Sequence, residues 1–105
     1  MNMIERMVYE AIPHGKENAI YSSEIEGITG LKGSDVRLTV NRLRTTGVPI
    51  CSSKRGYFIA ENPSDILETI EMLNGRCNAI LSASNGLNNY YLSLCKEKRL
   101  QSEGI

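Results

Sequence analysis

The chain is poor in the residues that build disulfide scaffolds, metal sites and aromatic surfaces. Its 105 residues contain no tryptophan, one phenylalanine, one histidine and three cysteines. Cys51, Cys77 and Cys95 are odd in number and far apart, without zinc-ligand spacing, and His14 stands alone among polar residues. We therefore expect no disulfide framework, no bound metal and no cofactor, and we expect the thiols to be small buried or half-buried side chains.

Long hydrophobic runs are also missing. No apolar stretch approaches the roughly 20 residues of a membrane-spanning helix, and the N-terminus lacks the basic start and apolar core of a signal peptide. The chain is 41% hydrophobic and 23% charged, which is ordinary for a globular protein, and its length suits one domain. We expect a cytoplasmic protein without a membrane partner.

The usual signatures of catalysis are absent as well. No nucleophile lies in an activating context, and no carboxylate pair or glycine-rich phosphate loop appears at working spacing. The chain is therefore predicted not to be an enzyme.

The chain has no net charge, but its charges are unevenly placed. A formal net charge of +0 by itself argues against a nucleic-acid partner. Between residues 32 and 55, however, Asp35 is the only acid among these basic residues: Lys32, Arg37, Arg42, Arg44, Lys54 and Arg55. Because a partner senses charge within a Debye length, this basic centre favours an anionic partner.

Apolar periodicity predicts three helices in the first half of the chain, over residues 2–12, 24–29 and 34–46. Pro13 ends the first helix. The positions expected to face inward are Ile4, Met7, Val8, Ala11 and Ile12, then Ile25 and Ile28, then Val36, Thr39, Val40 and Leu43.

Caps and breakers set the expected helix ends. Ser23 and Glu26 have the spacing of a capping box at the start of the second helix. Gly30 ends that helix in a left-handed conformation, and Gly33 or Ser34 is the expected N-cap of the third.

Short strands are predicted at residues 18–21, 48–52 and 57–60, the last two joined by a tip at 53–56 in which Gly56 takes a positive φ. A helix, a tight turn, a second helix and a hairpin, in this order, are the layout of a winged helix-turn-helix domain. We therefore expect a mainly α chain with a small β-hairpin, in which residues 1–62 form this domain.

The outward side of the third helix carries side chains that can read DNA. Arginine pairs bidentately with guanine and asparagine with adenine, and Arg37 and Asn41 share a face because they are four residues apart. A cationic hairpin tip can follow a phosphate backbone or enter a minor groove. The alternatives are a solvated helix face and a hydrophilic turn. The predicted DNA-binding residues are Lys32, Ser34, Arg37, Leu38, Asn41, Arg42, Arg44, Lys54 and Arg55.

These residues carry a resemblance to a known family. The runs at 31–37, 40–44, 47–50 and 56–59 resemble the winged helix of the biotin-repressor-type helix-turn-helix family. Small proteins encoded by phages and prophages of Gram-positive bacteria show a similar run, which begins with a Pro-x-Gly-x-x-Asn-Ala-Ile phrase like residues 13–20. The resemblance covers roughly residues 4–60.

The resemblance implies that the third helix reads DNA and that the hairpin tip acts as the wing. It places the reading residues at Ser34, Arg37, Leu38, Asn41 and Arg42, and the wing residues at Lys54 and Arg55. The sequence departs from the family at 33–35, where related motifs often hold a Ser-Arg pair. A base-reading arginine is missing there, and the carboxylate of Asp35 would repel phosphate.

Residues 63–100 form a C-terminal helical segment with a heptad seam, either as one helix or as two helices with a break near Gly86. The seam either packs back on the first helix or, as we expect, pairs two chains in a homodimer. The expected dimer-interface residues are Ile66, Ile70, Leu73, Cys77, Ile80, Leu87, Tyr91 and Leu94. Residues 101–105 are expected to form a flexible tail.

The sequence thus favours a double-stranded DNA-binding protein of phage or mobile-element type, acting as a transcriptional regulator or a replication accessory factor. The competing interpretation is a protein-interaction module on the same fold, such as an inhibitor that binds a host or phage protein.

Overall fold

The computed structural model of the chain describes residues 1–103 and is mainly helical, with one small antiparallel hairpin. Its elements are α1 (Met3–Ala11), a 3-10 turn (Lys16–Asn18), α2 (Ser22–Thr29), α3 (Gly33–Thr45), β1 (Ile50–Ser53), β2 (Gly56–Ile59) and α4 (Pro63–Glu103). The predicted class, mainly α with a β-hairpin, is confirmed. None of the described helices combines the length and apolarity that crossing a membrane requires.

The chain divides into two compact units, the first of which is Met1–Ile70 and the second of which begins at Glu71. The first unit holds α1, α2, α3, the hairpin and the beginning of α4, and so extends past the predicted boundary at residue 62. Of the two alternatives for the C-terminal segment, the structure has the single continuous helix, since α4 runs through Gly86 to Glu103. Within the predicted tail, Gly104 and Ile105 lie outside the described residues.

One core holds the first unit together. It is formed by Val8, Ile12, Ile25, Val36, Val40, Leu43, Ile50 and Ile59. The helices α1, α2 and α3 contact one another pairwise. The inward stripe predicted for α3 is confirmed, because Val36, Thr39, Val40 and Leu43 are all buried.

Three apolar residues expected in the core are exposed instead. Ile4 is 48% exposed, Met7 38% and Ile28 65%. Short helices bury only a narrow line of side chains, and Val8 with Ile12, one turn apart, forms that line where α1 ends. The apolar stripes were therefore predicted wider than the faces that this small core covers.

The caps also differ from the sequence-based expectation. The capping box predicted at Ser23 and Glu26 is wrong, because α2 begins at Ser22 after Tyr21 and no side chain caps it. A capping box forms at α1, where Asn2 Oδ1 accepts the Glu5 N–H at 2.8 Å and Glu5 Oε1 accepts the Asn2 N–H at 3.1 Å.

The start of α3 differs in the same way. Its N-cap is Lys32, without a side-chain bond, rather than Gly33 or Ser34. The two glycine turns at the helix ends agree with expectation, since Gly30 has φ 76° and Gly47, which follows the C-cap of α3, has φ 94°.

The hairpin is held on the edge of its second strand by an earlier part of the chain. Ile20 N–H donates to Tyr57 O at 3.1 Å, and Tyr57 N–H donates to Ile20 O at 2.8 Å. Farther along, Ile59 N–H donates to Pro13 O at 2.7 Å. The predicted strand at 18–21 is thus an isolated bridge rather than a strand.

Both faces of the hairpin are covered. Ile50 and Ile59 face the core, while Cys51 and Phe58, which alternate with them, are each 1% exposed on the opposite face. Thr69, near the beginning of α4, is 5% exposed, and its Oγ1 accepts the Ser52 N–H at 3.2 Å. This bond fixes the first turns of α4 to the free edge of β1.

Candidate nucleic-acid interface

The side of α3 that faces away from the core carries a row of short and medium side chains. Ser34, Leu38, Asn41 and Thr45 follow one another at intervals of four, three and four residues, so they line one face of the helix. All four are exposed, and Leu38 is 50% exposed. Because the opposite stripe is packed in the core, this row is held in a fixed orientation.

Two arginines flank the row on opposite sides. At 100° per residue, Arg37 lies beside Asn41 on one side, and Arg42 lies beside Leu38 on the other. Both are exposed, as is Lys32 directly before the helix. Asp35 is exposed on the Arg42 side, whereas the Glu26 carboxylate and the Arg37 guanidinium both approach Gly33 on the other side.

Arg44 has a structural contact that the sequence did not predict. Its Nε donates to Ile50 O at 2.8 Å, and its NH2 group donates to Ser52 Oγ at 2.7 Å. Its guanidinium also lies 5.8 Å from the centre of the Tyr57 ring. This half-buried side chain therefore ties the last turn of α3 to β1, instead of projecting outward to a phosphate as expected.

The hairpin tip presents Lys54 and Arg55 as its two turn residues, between the paired Ser53 and Gly56. Both basic side chains are exposed. Gly56 has φ 111°, and a Cβ at this position would collide with the carbonyl oxygen of Ile20. The tip is therefore set by close backbone contact with the residues before α2.

Arg44 connects the hairpin tip to the side of α3 that carries Arg37. Arg37 precedes Arg44 by seven residues, so the two lie on the same side of α3 and about 10 Å apart along its axis. Arg44 reaches Ser52, which is two residues from Lys54. The side of α3 that carries Arg37 is thus the side next to the hairpin.

A cavity of about 630 Å³ borders the tip, and its other walls are Lys16, Glu17 and Glu68. Lys16 Nζ lies 3.2 Å from Glu68 Oε2, so the charge of this lysine is already compensated. An anion entering here would meet two carboxylates. The exposed faces of α3 and of the tip are therefore better suited to phosphate than this cavity is.

The predicted dimer-interface residues remain uncovered in the single chain. Ile66 and Ile70, in the first unit, are 38% and 47% exposed, and Leu73 is half-buried. The side chains of residues 74–100 are all exposed. Cys77 and Cys95 are exposed free thiols, contrary to expectation, while Cys51 is buried as expected.

Thr45 in the outward row and the hairpin anchors of Arg44 were not among the residues and contacts predicted from the sequence. The spacing of Thr45 from Asn41 was a signal that could have found it, whereas no sequence pattern identifies the partners of Arg44. Comparison of the chain with protein-family models, with curated proteins and with solved structures found no match.

Proposed function

We propose that this protein binds double-stranded DNA, with α3 in a major groove and the hairpin tip on the neighbouring backbone or minor groove. In this proposal it acts as a transcriptional regulator or a replication accessory factor of phage or mobile-element type. The observation that supports it most is the outward face of α3, where Asn41 and Arg37 stand side by side on a helix fixed by its buried stripe.

The dimensions and chemistry of this face match a major groove. A helix with its side chains is about 10–12 Å across, and the major groove is about 12 Å wide. Arg37 is suited to the O6 and N7 atoms of guanine, and Asn41 to the N6 and N7 atoms of adenine. Leu38 and the methyl group of Thr45 supply apolar contacts of the kind that thymine methyl groups receive.

In this proposal the phosphate contacts are made by basic side chains beside this row and at the hairpin tip. Lys32, Arg42, Lys54 and Arg55 are all exposed, and four contacts per chain give only modest affinity. A homodimer through the α4 seam would double them and bind two half-sites, which is how small helix-turn-helix domains reach useful specificity.

Salt titration of duplex binding tests the proposal. For binding to a short labelled duplex, four phosphate contacts predict a slope of log affinity against log salt of about −4 for one chain, and eight predict about −7 for two. A protein that shows no duplex binding at low salt would contradict the proposal.

Substitutions can distinguish the residues proposed to contact bases from those proposed to contact phosphates. In a selection from random duplexes, Arg37→Ala and Asn41→Ala should relax the preference at one base each, by about 1–3 kcal/mol. Lys54→Ala and Arg55→Ala are the matched controls, because loss of a phosphate contact should weaken binding to all sequences alike. Equal losses at all four positions would reject α3 as the reading helix.

The second candidate is a protein-interaction module, such as an inhibitor of a host or phage protein. It is favoured by Leu38, which is 50% exposed in the middle of the outward row, and by the exposed carboxylate of Asp35, which would repel a nearby phosphate. If the protein fails to bind duplex at low salt, this face of α3 is the surface on which to map a protein partner.

A further inference from the structure

The second unit of the chain is one helical segment, and most of its described apolar side chains are exposed. Leu73, Ile80, Leu87 and Leu94 recur every seven residues, and Ile80 and Leu87 are 71% and 74% exposed. A second series, four residues farther along at each step, consists of Cys77, Ser84, Tyr91 and Lys98. Positions alternating at four and three residues over more than three heptads are the pattern of a two-helix coiled coil.

Ser84 and Lys98 are polar positions within this seam, but two glycines of the unit and one further lysine lie off it. Gly75 and Gly86 occupy heptad positions that face away from a coiled-coil partner, and so does Lys96. A groove of about 470 Å³ follows the seam itself, lined by Leu73, Arg76, Cys77, Ile80, Leu81 and Ser84. This arrangement presents a shallow apolar strip with one arginine at its edge.

The charges along α4 indicate the direction of the partner helix. Lys96, Lys98 and Arg99 lie near the C-terminal end, and Glu71 lies at the beginning of the unit. In a parallel pair Lys98 would face its own copy, and no opposite charges would meet across the edges of the seam. In an antiparallel pair Arg76, near the beginning of each helix, lies beside Glu97, near the end of the other, and the two helix dipoles oppose each other favourably.

We propose that the occupant of this strip is α4 of a second copy of the chain, antiparallel to the first, with the two helices crossing at residues 85 and 86. This inference rests on the proposed homodimer and not on DNA binding. In this register Arg76 meets Glu97 of the second copy, and the two-fold axis repeats the ion pair. Both residues occupy the heptad position whose copies meet at the edge of an antiparallel pair.

The same register gives each core position a suitable neighbour. Cys77 packs against Leu94 of the second copy, Ile80 against Tyr91, and Ser84 against Leu87. At each end Lys98 faces Leu73, where its ammonium can extend into water while its methylenes cover the leucine. Shifting the register by one heptad in either direction removes the Arg76–Glu97 pair.

The native cysteines provide a test of direction and register. In the antiparallel pair, Cys77 packs between Leu94 and Cys95 of the other copy, so mild copper-catalysed oxidation by dissolved oxygen should link Cys77 to Cys95 between chains. Mass spectrometry of the linked peptides identifies the bond, and Cys77→Ser should abolish it. A Cys77–Cys77 product would overturn the antiparallel arrangement.

Charge exchange provides a second test on the whole chain. Arg76→Glu or Glu97→Arg should each raise the dimer dissociation constant by roughly three- to tenfold, since each change places like charges together twice. The double variant R76E/E97R should restore dimerisation. Within one chain these residues are 21 positions apart, about 31 Å along the helix, so an intrachain contact cannot explain the rescue.

Lys96→Glu is the matched control, because it makes the same charge change on the outer side of α4 and should leave dimerisation unchanged. Sedimentation that detects dimers without rescue by R76E/E97R would overturn the register. A protein that remains monomeric at high micromolar concentration would overturn the inference and the homodimer together, whereas duplex binding by that monomer would leave the DNA proposal standing.

Discussion

At the scale of single residues, the arginines of α3 separate into two kinds. Arg37 and Arg42 are exposed at the surface of the helix. Arg44 is half-buried, and its guanidinium donates hydrogen bonds to Ile50 O and Ser52 Oγ. A guanidinium that makes two charge-assisted bonds in a half-buried site is worth more to stability than an exposed one. The same residue type therefore serves packing at one position and, in the proposed function, recognition at others.

Removing the Arg44 side chain should destabilise the first unit. Arg44→Ala leaves Ile50 O and Ser52 Oγ without their donor, so we expect a loss of about 1–3 kcal/mol in the free energy of unfolding. Urea denaturation followed by circular dichroism measures it. Arg42→Ala, on the same helix but exposed, should change stability by less than about 0.5 kcal/mol. Equal effects would contradict the structural role of Arg44.

At the scale of elements, the hairpin depends on backbone contacts more than on its own turn. Its second strand is bonded to residues 13–20, and its first strand is bonded to Arg44 and Thr69. A two-stranded hairpin alone is marginal in water. The tip is therefore rigid because both of its edges are occupied, and a rigid tip loses less entropy when it binds.

At Gly56 the close backbone packing of the hairpin leaves no room for a side chain. Gly56→Ala places a methyl group against Ile20 O at a positive φ, so we expect a loss of more than about 2 kcal/mol of stability and a displaced tip. Thermal unfolding and amide exchange in the hairpin measure these effects. Gly27→Ala is the control, because open space surrounds that helical glycine and alanine there should stabilise by about 0.5–1 kcal/mol.

At the scale of the whole molecule, we expect the proposed dimer to determine how strongly the protein would bind DNA. One chain offers few exposed cations around α3 and the hairpin tip, and the overall net charge is +0, so long-range attraction to DNA is weak. Two linked chains would bind as a bivalent unit, for which the second contact is effectively intramolecular. Affinity for a site with two half-sites should then depend on the seam of α4.

Breaking the seam should weaken DNA binding without unfolding the first unit. Leu87→Asp buries a charge against the second copy, so we expect a monomer, a sharp loss of duplex affinity and a change of the salt slope from about −7 to about −4. Light scattering and anisotropy measure these. Leu92→Asp, an exposed leucine off the seam, should behave as the unchanged protein. A dimeric Leu87→Asp variant with full affinity would contradict this dependence.

Much of the fold could be predicted from local signals. Gly30 and Gly47 ended their helices as expected, and the inward stripe of α3 was identified by its spacing. The caps were less predictable, because Ser23 and Glu26 have capping-box spacing but α2 begins one residue earlier. A helix start depends on how the preceding chain enters, here through the Ile20–Tyr57 bridge, which is a contact between residues distant in sequence.

The candidate site also combines features set by the local sequence with features set by contacts between distant residues. The sequence by itself determined which side of α3 is outward, because helical period and buried stripe fix the positions of Ser34, Arg37 and Asn41 relative to Val36 and Val40. It also determined the basic tip and the heptad spacing of α4. These are properties of local periodicity and residue type, which need no knowledge of distant contacts.

Only the tertiary structure decided which of those side chains are already engaged. It assigned Arg44 to the edge of β1, covered Cys51 and Phe58 on the second face of the hairpin, and left Ile28 exposed. It also made α4 one continuous helix through Gly86. The physical reason is that burial and hydrogen-bond partners depend on which elements meet in space, and residues far apart in the sequence supply them.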